Sequence, residues 1–147
     1  MIRTIAIVAL FLAYAQARNI TFSNCSPNGK INFVNVIPCE AEPCTFKTGD
    51  EVHLNGQYKT SIAASKPTLK AEIKVDGEWV EYPEVESDAC KYTSCPIEAN
   101  VAYPYVLDTN VIDWPESFAT EMRFRLFADD GKTELICGSN AIVVVKA

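Results

Sequence analysis

Few side chains in this chain could perform covalent or acid–base chemistry. They are one histidine (His53), six cysteines (Cys25, Cys39, Cys44, Cys90, Cys95 and Cys137) and a run of carboxylates (Glu81, Glu84, Glu86 and Asp88). A histidine that activates a cysteine must lie beside it, and His53 adjoins none of the cysteines. It falls on the polar side of an alternating segment, where a solvated imidazole is expected. The carboxylates crowd a loop that contains Pro83. Two facing carboxylates are the equipment of a glycosidase, but so dense a run reads as a solvated loop. No nucleophile elbow, phosphate-binding loop or zinc-ligand spacing occurs. No catalytic residue, metal ligand or cofactor site is assigned, and the chain is expected not to be an enzyme.

The cysteines point to stapling. Six cysteines allow 15 pairings, so sequence alone does not fix the connectivity. Spacing narrows the choice. Cys39 and Cys44 flank Glu-Ala-Glu-Pro, and Cys90 and Cys95 flank Lys-Tyr-Thr-Ser, so each pair can close a small loop. That leaves Cys25 for Cys137, across a loop whose closure removes roughly 4–5 kcal/mol of unfolded-chain entropy in the entropic account. Disulfides imply an oxidising compartment. Met1 to Ala17 agrees: a basic Arg3, an apolar Ile5 to Ala13 and the small-residue site Ala15-Gln16-Ala17 read as a secretory signal peptide. Residues 18–147 then form a single domain. Of the 147 residues, 13 are Lys or Arg and 19 are Asp or Glu, a net charge of −6. Without Arg3 the balance is 12 against 19, or −7. Such a balance gives no footprint for nucleic acid or anionic membranes. The sequons at Asn19 and Asn24 are candidate glycan sites.

Period-two alternation runs along almost the whole chain. Val52, Leu54, Gly56, Tyr58 and Ile62 oppose His53, Asn55, Gln57, Lys59 and Ser61. Leu69, Ala71, Ile73 and Val75 oppose Thr68, Lys70, Glu72 and Lys74, and Met122, Phe124 and Leu126 alternate with Arg123 and Arg125. These patterns predict half-buried strands with one wet face. Further strands are expected at Ile31–Val36, ended by Pro38, and at Val101–Leu107, where Pro104 indicates a sheet edge. Thr133–Cys137 and Ala141–Val145 read as two more. Asp76-Gly77 and Asp129-Asp130-Gly131-Lys132 supply hairpin turns. Six to eight short strands with no helical stripe predict an all-β antiparallel sandwich or barrel.

The loops carry more apolar surface than solubility requires. Trp79, Val80 and Tyr82 precede Pro83; Cys95-Pro96-Ile97 follows the second short loop; and Val111, Ile112, Trp114, Pro115 and Phe118 lie in a connection. Such side chains line a pocket mouth or plug the ends of a sandwich.

The string Asn35-Val36-Ile37-Pro38-Cys39, the two C-x4-C loops, Cys95-Pro96-Ile97 and Tyr103-x-Tyr105 together resemble the ML lipid-recognition family. The resemblance is greatest to the branch of the soluble Niemann–Pick type C sterol carriers and the group 2 mite allergens, and spans about Asn24 to Val145. It implies an immunoglobulin-like two-sheet sandwich holding a hydrophobic ligand between the sheets. It also implies the pairings Cys25–Cys137, Cys39–Cys44 and Cys90–Cys95. Carried over residue by residue, it puts Tyr82, Val111 and Trp114 at the pocket entrance. Val80, Leu54, Tyr58, Leu69, Ile73, Tyr103, Tyr105, Met122, Phe124 and Leu126 become the deeper lining. The family's sterol carriers have an apolar knob at one hairpin, where this chain reads Lys74-Val75-Asp76-Gly77-Glu78.

A pocket of about 500 Å³ would, at about 24 cal/mol per Å³, cost roughly 12 kcal/mol, comparable to a whole domain's stability. The interior is therefore expected to be partly collapsed and expandable, with the disulfides holding the sheets together. The function expected is that of a secreted, non-catalytic binder and carrier of a sterol or other hydrophobic lipid, the lysosomal lumen being a further destination. Its partners are then the lipid and a membrane transporter or receptor ectodomain, and the chain is expected to be a monomer. Presentation of lipid to an innate-immune receptor and a structural sandwich without a cavity are the rival expectations.

Overall fold

The computed structural model describes residues 16–147, so the expected leader lies outside the described residues apart from Gln16 and Ala17. Ten strands follow in order: β1 (Arg18–Asn19), β2 (Ser23–Asn24), β3 (Gly29–Ile37), β4 (Cys44–Lys47), β5 (Glu51–Thr60), β6 (Thr68–Val75), β7 (Glu78–Glu81), β8 (Ala102–Asn110), β9 (Phe118–Phe127) and β10 (Glu134–Val145). A single 3-10 turn, Ala89–Lys91, lies between β7 and β8. The strands form two sheets, one in the order β1-β3-β5-β8 and the other β2-β10-β9-β6-β7 with β4 added beside β10. This is the two-sheet sandwich that the alternation predicts.

Four details depart from that reading. The strand count exceeds six to eight because two-residue segments such as β1 and β2 are too short to show a period. The segments expected at Thr133–Cys137 and Ala141–Val145 are one twelve-residue strand, β10, which starts at Glu134, leaves Thr133 in the turn and continues through Gly138-Ser139-Asn140. Phe118 opens β9 instead of lying in the connection before it. In addition, β4 runs parallel to β10, so one pairing in the sandwich is not antiparallel.

At one end the sheets are pressed together. A Cβ on Gly29 would lie 2.4 Å from the Leu135 carbonyl oxygen, and one on Gly138 would lie 2.4 Å from Ile31 Cδ1. The Gly29 approach is to backbone, so only glycine permits it, whereas Ile31 Cδ1 is the end of a side chain that can turn away from Gly138. Asn28 Nδ2 donates to the Glu134 carbonyl at 2.9 Å, and the Asn28 carbonyl accepts from Ser61 N at 2.8 Å. Strand β8 is the edge that Pro104 indicates, and the Asp76-Gly77 turn adopts positive φ at both residues, joining β6 to β7.

The three disulfides pair as expected, with Cα–Cα distances of 4.8 Å (Cys25–Cys137), 5.0 Å (Cys39–Cys44) and 5.6 Å (Cys90–Cys95). They do not all hold the sheets together. Cys137 lies in β10, and Cys25 follows β2 in the same sheet, so that bridge ties the chain's start to its last strand. Cys39 follows β3 and Cys44 opens β4, so this short bridge spans the crossing between sheets.

Glu72 alternates onto the outer face yet is only 6% exposed. Arg123 Nε and Arg125 Nε donate to its Oε1 at 3.0 and 2.8 Å, and their terminal nitrogens donate to Oε2 at 3.1 and 3.2 Å. The Arg123 guanidinium lies 4.3 Å from the centre of the Trp79 ring, which shields the cluster. Burial pushes the Glu72 pKa up, but the arginine bonds outweigh it and hold the carboxyl below its ordinary range. A depressed carboxyl stabilises the fold above its unfolded pKa and loses that contribution as pH falls through the folded value. Glu72→Ala, which strands two arginines, is expected to cost about 3 kcal/mol in denaturant unfolding at pH 7. That deficit should shrink on acidification below pH 4, and a deficit independent of pH would contradict the ion cluster.

Candidate functional site

Inward-facing side chains of the two sheets enclose two apolar lobes. The larger, about 100 Å³, lies towards the pinned end and is lined by Ile31, Val34, Tyr58, Leu69, Tyr105, Leu107, Leu126 and Ile136 among others. The smaller, about 70 Å³, lies towards the opposite end, where Val36, Val52, Ile73, Tyr82, Val111, Trp114, Met122 and Val144 are among its walls. Ile20, Leu54, Phe124 and Asn140 line both. The lobes are therefore one interior narrowed at a waist.

Both volumes are well under the roughly 300 Å³ of small drug-sized pockets. Treated as engineered voids, each would cost about 2 kcal/mol, far less than the roughly 12 kcal/mol of a 500 Å³ cavity. The interior is a narrow apolar seam between the sheets, as a partly collapsed interior requires.

Most of the anticipated lining residues meet here. Leu54, Tyr58, Leu69, Ile73, Tyr82, Tyr105, Val111, Trp114, Met122, Phe124 and Leu126 all face one lobe or both. Val80 and Tyr103 do not. Val80 lies on β7, an edge strand with β6 as its only sheet neighbour, and is 46% exposed. Tyr103 packs beside Tyr58, ring centres 6.1 Å apart, and its hydroxyl accepts from Glu98 N at 2.9 Å. It secures a loop and lines neither lobe. The sequence reading missed Ile20, Phe46, Ile136, Val144 and Asn140. Ile20 and Phe46 lie outside the strands anticipated from alternation, Ile136 and Val144 lie within anticipated strands but were not singled out, and Asn140 fell between two of them.

Two tyrosines shape the walls. Tyr58 donates to Thr93 Oγ1 at 2.8 Å, while that hydroxyl spends its one proton on the Pro104 carbonyl at 2.9 Å. This pins the Cys90–Cys95 loop over β8. The Tyr105 ring crosses β5 at Gly56, where a Cβ would lie 2.6 Å from Tyr105 Oη. Burial raises the Tyr105 phenol well above its ordinary pKa, so it stays neutral.

At the entrance, Tyr82 is more fastening than door. It is 6% exposed; its hydroxyl donates to the Asn110 carbonyl at 2.5 Å and accepts from Ile112 N at 3.1 Å. It thereby ties the end of β7 to the end of β8, across the two sheets. Trp114 lies beside Phe118, edge to face at 5.1 Å. Its Nε1 is the one buried side-chain polar atom without a hydrogen-bond partner among the described residues. Trp114 also borders a surface groove with the Lys74–Gly77 hairpin and Glu121.

His53 stands apart from this interior, on the outer face of the other sheet. Its Nδ1 is 2.6 Å from Asp108 Oδ1, and the side chain is 43% exposed. The hydrogen bond to Asp108 raises its pKa above 6.5, against a small opposing effect of burial. No group of three or more His, Cys, Asp or Glu side chains is arranged to hold a metal among the described residues.

A β-sandwich with an apolar seam and aromatic side chains at one end defines the class. The chain belongs to the ML domain family, whose description matches residues 19–142. It is 31% identical over 136 residues to the mouse (Mus musculus) protein named NPC intracellular cholesterol transporter 2, covering 91% of this chain and 90% of that one. It is 25% identical over 139 residues to the mite group 2 allergen Lep d 2 of Lepidoglyphus destructor, covering 95% and 96%. The crystal structure of a Niemann–Pick type C2 protein from the Japanese carpenter ant matches with a TM-score of 0.75. That match covers 85% of this chain and 99% of that chain at 17% identity, and supports the fold.

Two outcomes follow from the geometry. Tyr82→Phe should lower stability by about 1–2 kcal/mol, because it leaves the Asn110 carbonyl and the Ile112 N–H without their partner. Trp114→Phe, which removes an unpaired donor, should cost less, and chemical denaturation of both variants compares them directly. For His53, NMR titration should give a pKa above 6.5 that falls in Asp108→Asn. A raised histidine pKa stabilises the fold below the unfolded value, and that contribution fades as pH rises through the folded value. The Asp108→Asn deficit should therefore be greater at pH 5 than at pH 8.

Proposed function

We propose that this protein is a non-catalytic lipid carrier that holds a sterol or other hydrophobic lipid between its two sheets. The observation that carries this reading is the two-lobed apolar seam running from the pinned glycine corner to the Trp114 end. Among the relatives, the mammalian ones bear the name of a cholesterol transporter, and the family assignment supports the same use of the seam. A lipid of about 28 heavy atoms at about 0.3 kcal/mol per atom binds with roughly 8 kcal/mol, a micromolar affinity. That strength suits a carrier, which must also release its cargo. Entry at the end bordered by Val111 and Trp114 requires the sheets to part there, while Gly29 and Gly138 remain the hinge side.

The protein is proposed to act outside the cytosol, as a secreted or lysosomal-lumen protein bearing three disulfides. Asn19, exposed on β1, is the better glycan acceptor. The Asn24 amide is engaged by the Ile31 backbone, at 2.9 Å to its N–H and 3.5 Å to its carbonyl. Docking to a membrane transporter or a receptor ectodomain would use charge at the Lys74–Glu78 hairpin, since this turn lacks an apolar tip.

Native mass spectrometry of the mature chain from a eukaryotic secretory host tests the proposal. A discrete adduct lost on denaturation, or acquired on incubation with cholesterol or fatty acids, is expected. Leu54→Phe narrows the waist and should weaken that binding at least tenfold without lowering thermal stability. A chain that stays bare with sterols, fatty acids and phospholipids would return the seam to plain core.

A further inference from the structure

Asn140 is out of place in an apolar seam. Inward-facing positions on β10 are Ile136, Gly138, Asn140, Ile142 and Val144, by their shared parity and their places in the lobes. Four are apolar or glycine, and the fifth carries an amide. Asn140 is also the only one of the five that lines both lobes. It pairs with Met122 across the sheet and shares the waist with Ile20, Leu54 and Phe124.

The amide has little to satisfy it. Its Nδ2 reaches the carbonyl of the adjacent Ala141 at 3.4 Å, well beyond the usual 2.9–3.0 Å. Its Oδ1 accepts no hydrogen bond among the described residues. Asn140 is half-buried, and a polar side chain turned towards an apolar cavity forgoes the apolar contacts that leucine, with the same branched heavy-atom skeleton, would make there. The local sequence pays a second penalty, because Gly138-Ser139-Asn140 is a poor stretch for a strand interior. Sites that break the local rules are where function is sought.

The position of the amide says what it would meet. Asn140 lies six residues from the start of β10 and five from its end. The lobes take their β10 lining from Ile136 to Val144, four residues to either side of Asn140, so at about 3.4 Å per residue it stands about 14 Å from either end of that lining. A molecule long enough to fill both lobes passes it at mid-length, far from a polar head left at the entrance.

We infer that Asn140 is a specificity-determining residue that selects an elongated apolar ligand bearing a hydroxyl or carbonyl oxygen near its middle. An alcohol can donate to Oδ1 and accept from Nδ2, and a ketone can accept from Nδ2. A plain hydrocarbon chain leaves both atoms unbonded and forfeits that contribution. The inference rests on the carrier reading and adds to it the chemical class of the cargo.

The experiment compares octadecanoic acid with its mid-chain hydroxy derivatives, hydroxylated at the tenth or twelfth carbon, by native mass spectrometry and fluorescent-lipid displacement. The wild-type chain should bind at least one hydroxy acid about tenfold more tightly than the parent acid. Asn140→Leu should erase the preference while binding the parent acid at least as well. Asn140→Ser, which keeps a smaller polar group, should retain part of the preference. Equal wild-type affinity for the parent acid and both hydroxy acids would overturn the inference and leave the carrier reading intact, with the amide merely hydrated. Binding of none of these acids, nor of cholesterol, would overturn both.

Discussion

The structure depends on a corner where two sheets of unequal width touch backbone to side chain. Gly29 sits against the Leu135 carbonyl, closer than any side chain would allow, and Gly138 lies against the Ile31 side chain. Asn28 spans the same corner by bonding to the Glu134 carbonyl. With the sheets closed there, their twist carries them apart towards the other end. The seam between them is the consequence. Its lobes are ordered from the corner outwards, with Tyr58 and Tyr105 in the wall of the nearer one and Tyr82 and Trp114 in the wall of the farther one.

Opposing that corner are ties that limit how far the sheets can open. Tyr82 bonds to the backbone at the end of β8, and the Cys39–Cys44 bridge restrains the crossing from β3 to β4. These hold the rim, while the walls between rim and corner are held mainly by apolar contact. Apolar contact is non-directional, so one set of wall contacts can be exchanged for contacts with an inserted molecule at modest cost. Backbone ladders within each sheet are untouched by such an exchange. A small resting volume and a capacity for a larger guest are thus compatible in one architecture.

The two outer faces differ in kind. One carries the Glu72–Arg123–Arg125 cluster beneath Trp79, a dry and directional arrangement that stiffens β6 and β9. The other carries His53 and Asp108 in water, where their bond responds to pH but holds little together. Stiffness of the β6–β9 sheet gives the interior one fixed wall. The ion cluster therefore braces the seam from the outer face of that sheet.

Sequence alone determined the strands with long alternation, the hairpin at Asp76-Gly77 and the short disulfide loops, because period, turn chemistry and spacing are local properties. It also supplied most of the wall: a residue on the apolar face of an alternating strand must face the other sheet. Tertiary structure decided what locality cannot. Val80 alternates like a wall residue, yet lies on an edge strand with no strand beyond it. Tyr82 looks like an exposed aromatic before a proline, yet its hydroxyl bonds to residues 28 and 30 positions further along. Glu72 belongs to a wet face by period and is buried because two arginines from another strand close over it. Asn140 seemed to fall in a gap between two strands until β10 proved continuous. Its amide then faced inwards by simple parity, at the waist of a cavity that exists only once the sheets are packed.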